Sequence, residues 1–219
     1  VFKFFKPDYV VHLAAQAGVR HSISRPQDYT HSNLLGFANI LQFSKLLKVK
    51  HLIYASSSSV YGENKKFPLS EKLKLDKPIS YYGATKLCNE LMAYSYSHLF
   101  KLPTTGLRFF TVYGPWGRPD MALFLFTNAI KNKKKIQLFN RGDMVRDFTY
   151  IDDITLSIKK LIKKIPKNKK GIPYRILNVG SNNPIKLKKY ISILENILKI
   201  KSNKIKLPMQ KGDVRSEER

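Results

Sequence analysis

Tyr82 and Lys86 are the residues whose types and spacing point most directly to chemistry. Residues four positions apart share one face of a helix, and the apolar residues between positions 87 and 99 recur with helical spacing. A lysine ammonium beside a phenol favours the phenolate over the neutral form, whose ordinary pKa is about 10. The pair therefore predicts a tyrosine that takes up and returns a proton.

A second pair with the same spacing, Tyr61 and Lys65, is set aside. A chain of 219 residues with 12 tyrosines and 31 lysines produces about two tyrosine–lysine pairs at this spacing by chance. The residues between them, Gly-Glu-Asn, are typical of a turn, so these two side chains need not meet. Tyr82 and Lys86 remain the candidate pair.

Four consecutive serines at positions 56–59 follow an apolar run at 51–55 that has the composition of a buried strand. A serine hydroxyl at such a strand end can orient a substrate oxygen or share a proton with a nearby tyrosine. A polar strand end without a chemical role is the alternative. Together with the tyrosine and the lysine, Ser57 completes a Ser-Tyr-Lys set.

The elements that must position these residues alternate along the chain. Strand-type runs and segments of helical period follow one another as strand 9–13, helix 33–47, strand 51–55, helix 82–100, strand 105–111, helix 122–132, strands 136–139 and 148–151, helix 152–165, strand 175–179 and helix 187–198. This order predicts an α/β fold built on a Rossmann-like, doubly wound parallel sheet. Its ligand crevice is expected beyond the carboxyl ends of the strands.

Length and composition restrict the class of protein. The 219 residues are 43% hydrophobic, which suffices for one α/β domain with a smaller lobe and excludes a disordered chain. The net charge of +25 suits a ligand with phosphates or carboxylates, whereas a nucleic-acid partner is not expected because no recognised motif is present. No apolar run reaches the roughly 18–20 residues of a membrane span, and Cys88 is expected to pack inside a helix. We expect a cytoplasmic protein with no membrane partner and no metal site.

Six segments, in order along the chain, resemble the extended short-chain dehydrogenase/reductase family. They are HLAAQAGVR at 12–20, YASSSSVYG at 54–62, SYYGATK at 80–86, LRFFTVYGPWGRPDMA at 107–122, RDFTYIDDI at 146–154 and GDV at 212–214. Within that family the chain is similar to the NAD-dependent epimerases and dehydratases of nucleotide sugars, and among these to the bacterial UDP-glucuronate 4-epimerases.

The resemblance implies a role for each matching position. Tyr82 would be the acid and base, Lys86 would lower the pKa of this tyrosine and bind the nicotinamide ribose, and Ser57 would lie beside the sugar O4. The further implied contacts are Ala14, Ala15, Gln16 and Phe109 with NAD, Ser58, Ser59, Thr111 and Arg118 with the sugar and its phosphates, and Arg146 and Asp213 with the UDP moiety. A structural role for Arg146, paired with Asp147 or Asp152, is the alternative.

The implied reaction removes the C4 hydroxyl proton while hydride moves to NAD, giving a 4-keto sugar that turns and takes the hydride back. Dehydratases of the family carry an Asp-Glu pair where Ser58 and Ser59 stand, and the decarboxylases carry Glu at the second position. The serines therefore favour an epimerase and can bind a substrate carboxylate through hydrogen bonds. A UDP-glucose/galactose 4-epimerase and a non-catalytic relative are the alternatives.

The family's Gly-rich dinucleotide turn is missing, because no G-x-x-G-x-x-G pattern occurs. We therefore expect either a fold without its first βαβ unit or a chain that cannot hold NAD by itself. The family's continuation beyond the GDV motif is also expected to be missing. Residues 1–114 and 150–181 would form the NAD-binding part, and residues 115–149 and 182–219 the substrate-binding lobe. A homodimer through the helices at 33–47 and 82–100 is expected of the full-length form.

Overall fold

The computed structural model describes residues 2–64, 66–75, 77–167 and 171–217. The chain divides into two compact units, of which the first comprises Val1–Phe109 and Thr155–Val179. The second comprises Phe110–Ile154 and Gly180–Arg219. That one part of the chain binds NAD and the other binds the substrate stays a prediction.

The first unit contains four strands and the helices that connect them. Its strands are β1 (Tyr9–His12), β2 (His51–Ser57), β3 (Thr104–Phe109) and β7 (Tyr174–Val179), and its helices are α1 (Phe2–Phe5), α2 (Val19–Ser24), α3 (Pro26–Tyr29), a π-helix (Thr30–Leu35), α4 (Gly36–Leu46), a 3-10 helix (Ser58–Tyr61) and α5 (Tyr81–Phe100). The strands pair in the order β1-β2-β3-β7, and every pairing is parallel. The predicted parallel α/β sheet is therefore confirmed.

The sheet buries side chains on both faces, as a doubly wound fold requires. Leu52 and Tyr54 of β2 pack with Phe37 and Leu41 of α4 in one core cluster, and all four are fully buried. Because side chains alternate along a strand, His51 faces the other way. Its ring nitrogens lie 3.0 Å from the Ile162 carbonyl oxygen and 2.8 Å from Thr105 Oγ1, and burial lowers the pKa of His51.

The second unit contains smaller sheets. Its strands are β4 (Thr111–Tyr113), β5 (Lys135–Leu138), β6 (Val145–Tyr150), β8 (Pro184–Lys186), β9 (Asn203–Lys206) and β10 (Ser216–Glu217), and its helices are α6 (Ala122–Lys131), a 3-10 helix (Phe139–Gly142) and α8 (Leu187–Leu198). The remaining helix, α7 (Ile151–Leu161), has residues in both units. Strand β6 pairs in parallel with β4 and β10 and antiparallel with β8, and β5 pairs with β9.

Several sequence-based boundaries are corrected by the structure. The strand expected at 105–111 is two strands, β3 and β4, separated at Phe110. The helix expected at 33–47 is a π-helix followed by α4, and the helix expected at 152–165 is α7, which ends at Leu161. A packing role for Cys88 is wrong, because this residue is exposed on α5. Within the described residues, no helix is both long and apolar enough to cross a bilayer.

Candidate active site

The serine segment begins where β2 ends, at the carboxyl edge of the parallel sheet. Ser57 is the last residue of β2 and caps the 3-10 helix that follows, because its Oγ accepts a hydrogen bond from the Ser59 backbone N–H at 3.2 Å. The Ser57 hydroxyl also donates to Ser59 Oγ at 3.2 Å. Ser58 is buried in this turn. Both bonds are at or beyond the long end of the usual distance range.

The first turn of α5 packs closely against the serine turn. Ser80 caps this helix by accepting a hydrogen bond from the Gly83 N–H at 3.0 Å. A Cβ at Gly83 would lie 2.6 Å from the Ser59 carbonyl oxygen, so only glycine permits this approach. The Tyr82 N–H donates to Ser22 Oγ at 3.2 Å. The close contact places Tyr82 and the serines in one region of the first unit.

Lys86 is a buried ammonium one helical turn after Tyr82. It is 3% exposed, and its Nζ donates to the Ala55 carbonyl oxygen of β2 at 2.9 Å. The same Nζ lies 5.9 Å from the centroid of the Tyr82 ring. Burial lowers the pKa of Lys86 from 10.5 to about 8. At neutral pH the group therefore remains a cation near the phenol, and a nearby cation favours the phenolate.

Sequence reasoning missed Asn33, which fixes the loop after β1. Its Oδ1 accepts from the Gln16 N–H at 2.8 Å, and its Nδ2 donates to the Gln16 carbonyl oxygen at 3.0 Å and to Thr85 Oγ1 at 3.1 Å. The Thr85 hydroxyl in turn donates to the Tyr82 carbonyl oxygen at 2.8 Å. Asn33 lies in a π-helix, an element frequent at functional sites and a signal that periodicity does not carry.

The other predicted NAD contacts lie at the same edge of the sheet. Ala14 and Gln16 are exposed beyond the end of β1, and Ala15 is half-buried between them. Phe109 ends β3 and is paired in register with Ser57. His12, the last residue of β1, was not singled out from the sequence. Burial and the charge of Lys86 lower its pKa.

Three of the predicted substrate residues meet in the second unit. Arg146 Nη2 donates to Asp213 Oδ1 at 2.8 Å and to the Val214 carbonyl oxygen at 2.8 Å. Thr111 Oγ1 donates to Glu217 Oε2 at 2.8 Å, and Arg146 Nε lies 3.9 Å from this same oxygen. Glu217 therefore links Thr111 to the Arg146–Asp213 ion pair, a role that sequence reasoning missed.

Arg118, a predicted substrate residue, and Asp147, the alternative partner of Arg146, each contact other residues. Arg118 forms a two-pronged ion pair with Asp120, with distances of 2.9 and 3.1 Å. The fully buried Asp147 carboxylate accepts hydrogen bonds from Ser181 and from the Asn182 N–H. These bonds give Asp147 a structural role in joining β6 to the chain after β7. Among the described residues, no group of three or more His, Cys, Asp or Glu could hold a metal ion.

Comparisons with known proteins show the family to which the chain is related. A family model described as NAD dependent epimerase/dehydratase family matches residues 1–180. Protein CapI of Staphylococcus aureus is 51% identical over 226 residues, which cover 98% of this chain and 68% of CapI. A Rhizobium meliloti (strain 1021) protein named probable UDP-glucuronate 4-epimerase is 45% identical over 222 residues, which cover 95% of this chain and 65% of that protein.

A solved structure shows the same fold. UDP-glucuronic acid 4-epimerase from Bacillus cereus, in complex with UDP-glucuronic acid and NAD, superposes with a TM-score of 0.87 at 35% identity. The superposition covers 95% of this chain and 65% of that one. The chain thus spans about two thirds of the length of these relatives. The family match over most of the sequence establishes that the chain belongs to the NAD-dependent epimerase/dehydratase family.

Proposed function

We propose that this protein is a nucleotide-sugar 4-epimerase that interconverts UDP-glucuronate and UDP-galacturonate with enzyme-bound NAD. The observation that carries the proposal is the buried Lys86 ammonium, 5.9 Å from the Tyr82 ring, at the sheet edge where Ser57 ends β2. The names of the Rhizobium meliloti and Bacillus cereus relatives support the choice of UDP-glucuronate.

The residues present fit the nicotinamide side of NAD. An ammonium has three N–H donors, and Lys86 uses one of them on the Ala55 carbonyl oxygen. The others are the chemical complement of ribose hydroxyls. Ala14, Gln16 and Phe109 lie at the same edge of the sheet and would contact the cofactor there. When bound, NAD would supply a reversible acceptor for the C4 hydride.

The chain's own residues manage the proton in this reaction. The Tyr82 phenolate would take the proton of the sugar C4 hydroxyl as the C4–H bond breaks, and the Tyr82 phenol would return it when that bond re-forms on the opposite face. Lys86 would hold the negative charge of the phenolate between these two steps. Ser57 would donate a hydrogen bond to the C4 oxygen and so orient it.

The serine turn supports an epimerase over an elimination enzyme. Ser58 and Ser59 carry hydroxyls where acid/base elimination would need a carboxylate. Hydroxyl and amide donors can instead bind a substrate carboxylate without adding a charge of their own. A sugar carboxylate is thereby favoured at this turn, and water or carbon dioxide is not expected to leave the keto sugar.

The test is product analysis with the protein encoded by the whole reading frame. We expect UDP-glucuronate to yield UDP-galacturonate, separated by chromatography, with no added NAD consumed. Tyr82→Phe should slow the conversion by about 10²–10⁴. Tyr81→Phe should leave it near that of the parent, because the exposed Tyr81 hydroxyl contacts Thr30. A UDP-pentose product would establish a decarboxylase, and UDP binding without turnover would establish a non-catalytic relative.

A second candidate, UDP-glucose/galactose 4-epimerase, is favoured by the contact between Thr111 and Glu217. A hydroxyl has one hydrogen, and Thr111 donates it to Glu217 at 2.8 Å. Thr111 can then only accept from a ligand, as it would from a neutral sugar hydroxyl. The Glu217 charge also disfavours a second carboxylate nearby. Under this alternative the parent prefers UDP-glucose, and Glu217→Gln shifts kcat/KM toward UDP-glucuronate.

We also propose that the protein forms a homodimer through α4 and α5. Large apolar side chains are exposed along these helices, among them Leu46, Leu91 and Leu99. Burying such side chains in a helix pair would remove them from water. Analytical ultracentrifugation should give a dimer for the parent and a monomer for Leu91→Glu. A parent that sediments as a monomer would contradict the proposal.

A further inference from the structure

The elements that carry the candidate catalytic residues also hold a buried ion pair that the proposed chemistry does not use. Glu90 on α5 and Arg108 on β3 have side chains that are each 4% exposed. Arg108 Nε donates to Glu90 Oε1 at 2.8 Å and Nη2 donates to Oε2 at 2.7 Å, so the pair is two-pronged. Ser56 Oγ donates to the same Oε1 at 2.6 Å.

The pair is connected to the carboxyl-end residues of β2, β3 and β7. Arg108 is the register partner of Ser56 on β2 and of Asn178 on β7. Its Nη1 donates to the Tyr61 hydroxyl at 2.9 Å, and that hydroxyl donates to Asn178 Oδ1 at 2.6 Å. The network therefore joins α5 to three adjacent strands and to the 3-10 helix that contains Ser58 and Ser59.

The residues of this network are neighbours in sequence of the proposed catalytic and NAD-binding residues. Ser56 precedes Ser57, and Arg108 precedes Phe109. Glu90 follows Lys86 by four residues, and the two therefore share one face of α5. A carboxylate at that spacing would ordinarily pair with the lysine. Both Glu90 oxygens are engaged by Arg108 and Ser56 instead, and the Lys86 ammonium is directed to Ala55.

Stability alone does not explain such a pair. Removing two charges from water is costly, and apolar residues of similar volume often give an equally stable core. What apolar residues do not provide is a fixed direction, because dispersion contacts are not directional whereas a two-pronged ion pair is. A helix held by this network is fixed in both rotation and height relative to β2.

We propose that Glu90 and Arg108 are positioning residues that set the placement of α5 against β2 and β3, and with it the distances among Ser57, Tyr82 and Lys86. This inference rests on the proposed function of those three residues. It predicts that breaking the pair lowers kcat and leaves KM for the UDP-sugar nearly unchanged. A misplacement of about 1 Å can cost on the order of 100-fold in rate.

Glu90→Gln is the first test, because it preserves shape and removes one charge. Its matched control is Glu195→Gln in the second unit, where a carboxylate that is 6% exposed accepts from Ser202 and from Lys204 Nζ at 2.7 Å. In the full-length protein, we expect kcat to fall about 10- to 100-fold for Glu90→Gln, with KM within about twofold. We expect both constants of Glu195→Gln to stay within about twofold of the parent.

Hydrogen–deuterium exchange supplies a readout that does not depend on turnover. For Glu90→Gln we expect faster exchange in residues 55–59 and 82–90, and for Glu195→Gln no change there. If the parent epimerises no UDP-sugar, the proposed function fails and this exchange pattern alone decides the positioning inference. Unchanged exchange at both segments, or a uniform increase over the whole chain, would then overturn it.

Two further variants decide the matter if Glu90→Gln does not fold. Glu90→Met combined with Arg108→Met removes both charges, and we expect a folded protein with the same selective loss of kcat. Ser56→Ala is the test to use if the double variant also fails to fold. It leaves the ion pair intact and removes one hydrogen bond to Glu90, and we expect its kcat to be at least threefold lower than that of the parent. A folded variant of any of these kinds with kcat within about twofold of the parent would overturn the proposal.

Discussion

Replacing Lys86 by Met should make the protein less active and change how its stability depends on pH. Met has a similar length and no charge, so it fills the buried space without an ammonium. The Lys86 side chain is 3% exposed, and burial lowers its pKa from 10.5 to about 8. The fold therefore disfavours the protonated lysine relative to the unfolded chain.

The size of the effect follows from this shift. At about 1.4 kcal/mol per pKa unit, holding Lys86 protonated costs the fold roughly 3 kcal/mol. Since the pKa is lower in the folded state, the unfolded chain binds more protons above about pH 8, and stability rises with pH. Between pH 7 and pH 10 the parent should gain roughly 2.5 kcal/mol relative to Lys86→Met, which lacks this titration.

Urea unfolding of the parent and of Lys86→Met at pH 7, 8, 9 and 10 measures this difference, because all other titrations are common to both proteins. Lys160→Met, which alters an exposed lysine on α7, is the control and should show a constant difference from the parent. A difference between the parent and Lys86→Met that stays constant over this range would refute the reasoning that Lys86 is buried as a cation.

Three other predictions concern the same site. Tyr82→Phe should lower kcat by about 10²–10⁴ with an unchanged melting temperature, and near-normal turnover would eliminate Tyr82 as the base. Gly83→Ala should destabilise the protein by about 1–3 kcal/mol despite the better helix propensity of alanine, because the new Cβ would lie 2.6 Å from the Ser59 carbonyl oxygen; a higher melting temperature would show that this contact is not tight. Ser59→Glu should lose epimerase activity on UDP-glucuronate, with a trace of UDP-pentose detectable by chromatography. Parent-like activity of Ser59→Glu would show that the sugar carboxylate is not held at this turn.

Periodicity and strand composition predicted the framework of the first unit well. The apolar run that became β2 and the helical period that became α5 are strong local signals, and they placed Tyr82 and Lys86 on one helix face. The π-helix that holds Asn33 was not predicted, because an i→i+5 pattern leaves almost no trace in hydrophobic spacing. The role of Asn33 depends on hydrogen bonds with Gln16 and Thr85, which are distant from it in sequence.

The second unit was harder to predict, because its strands are short and carry little apolar periodicity. Strand β9 is exposed along its whole length, and its pairing with β5 joins segments more than sixty residues apart. The contact of Thr111 with Glu217 likewise depends on β10, a strand of two residues. The Glu90–Arg108 pair was missed because a charged residue in a helix is ordinarily read as a solvated face.

The most direct test of the account is the fate of the hydrogen at C4 during turnover in D₂O. The full-length protein is incubated with UDP-glucuronate, and the product is analysed by proton NMR and mass spectrometry. Because the C4 hydride leaves and returns without meeting solvent while Tyr82 exchanges only the hydroxyl proton, we predict UDP-galacturonate with protium at C4. Deuterium at C4 of the product, or release of carbon dioxide in place of UDP-galacturonate, would contradict C4 epimerisation by return of the hydride to a transient 4-keto sugar.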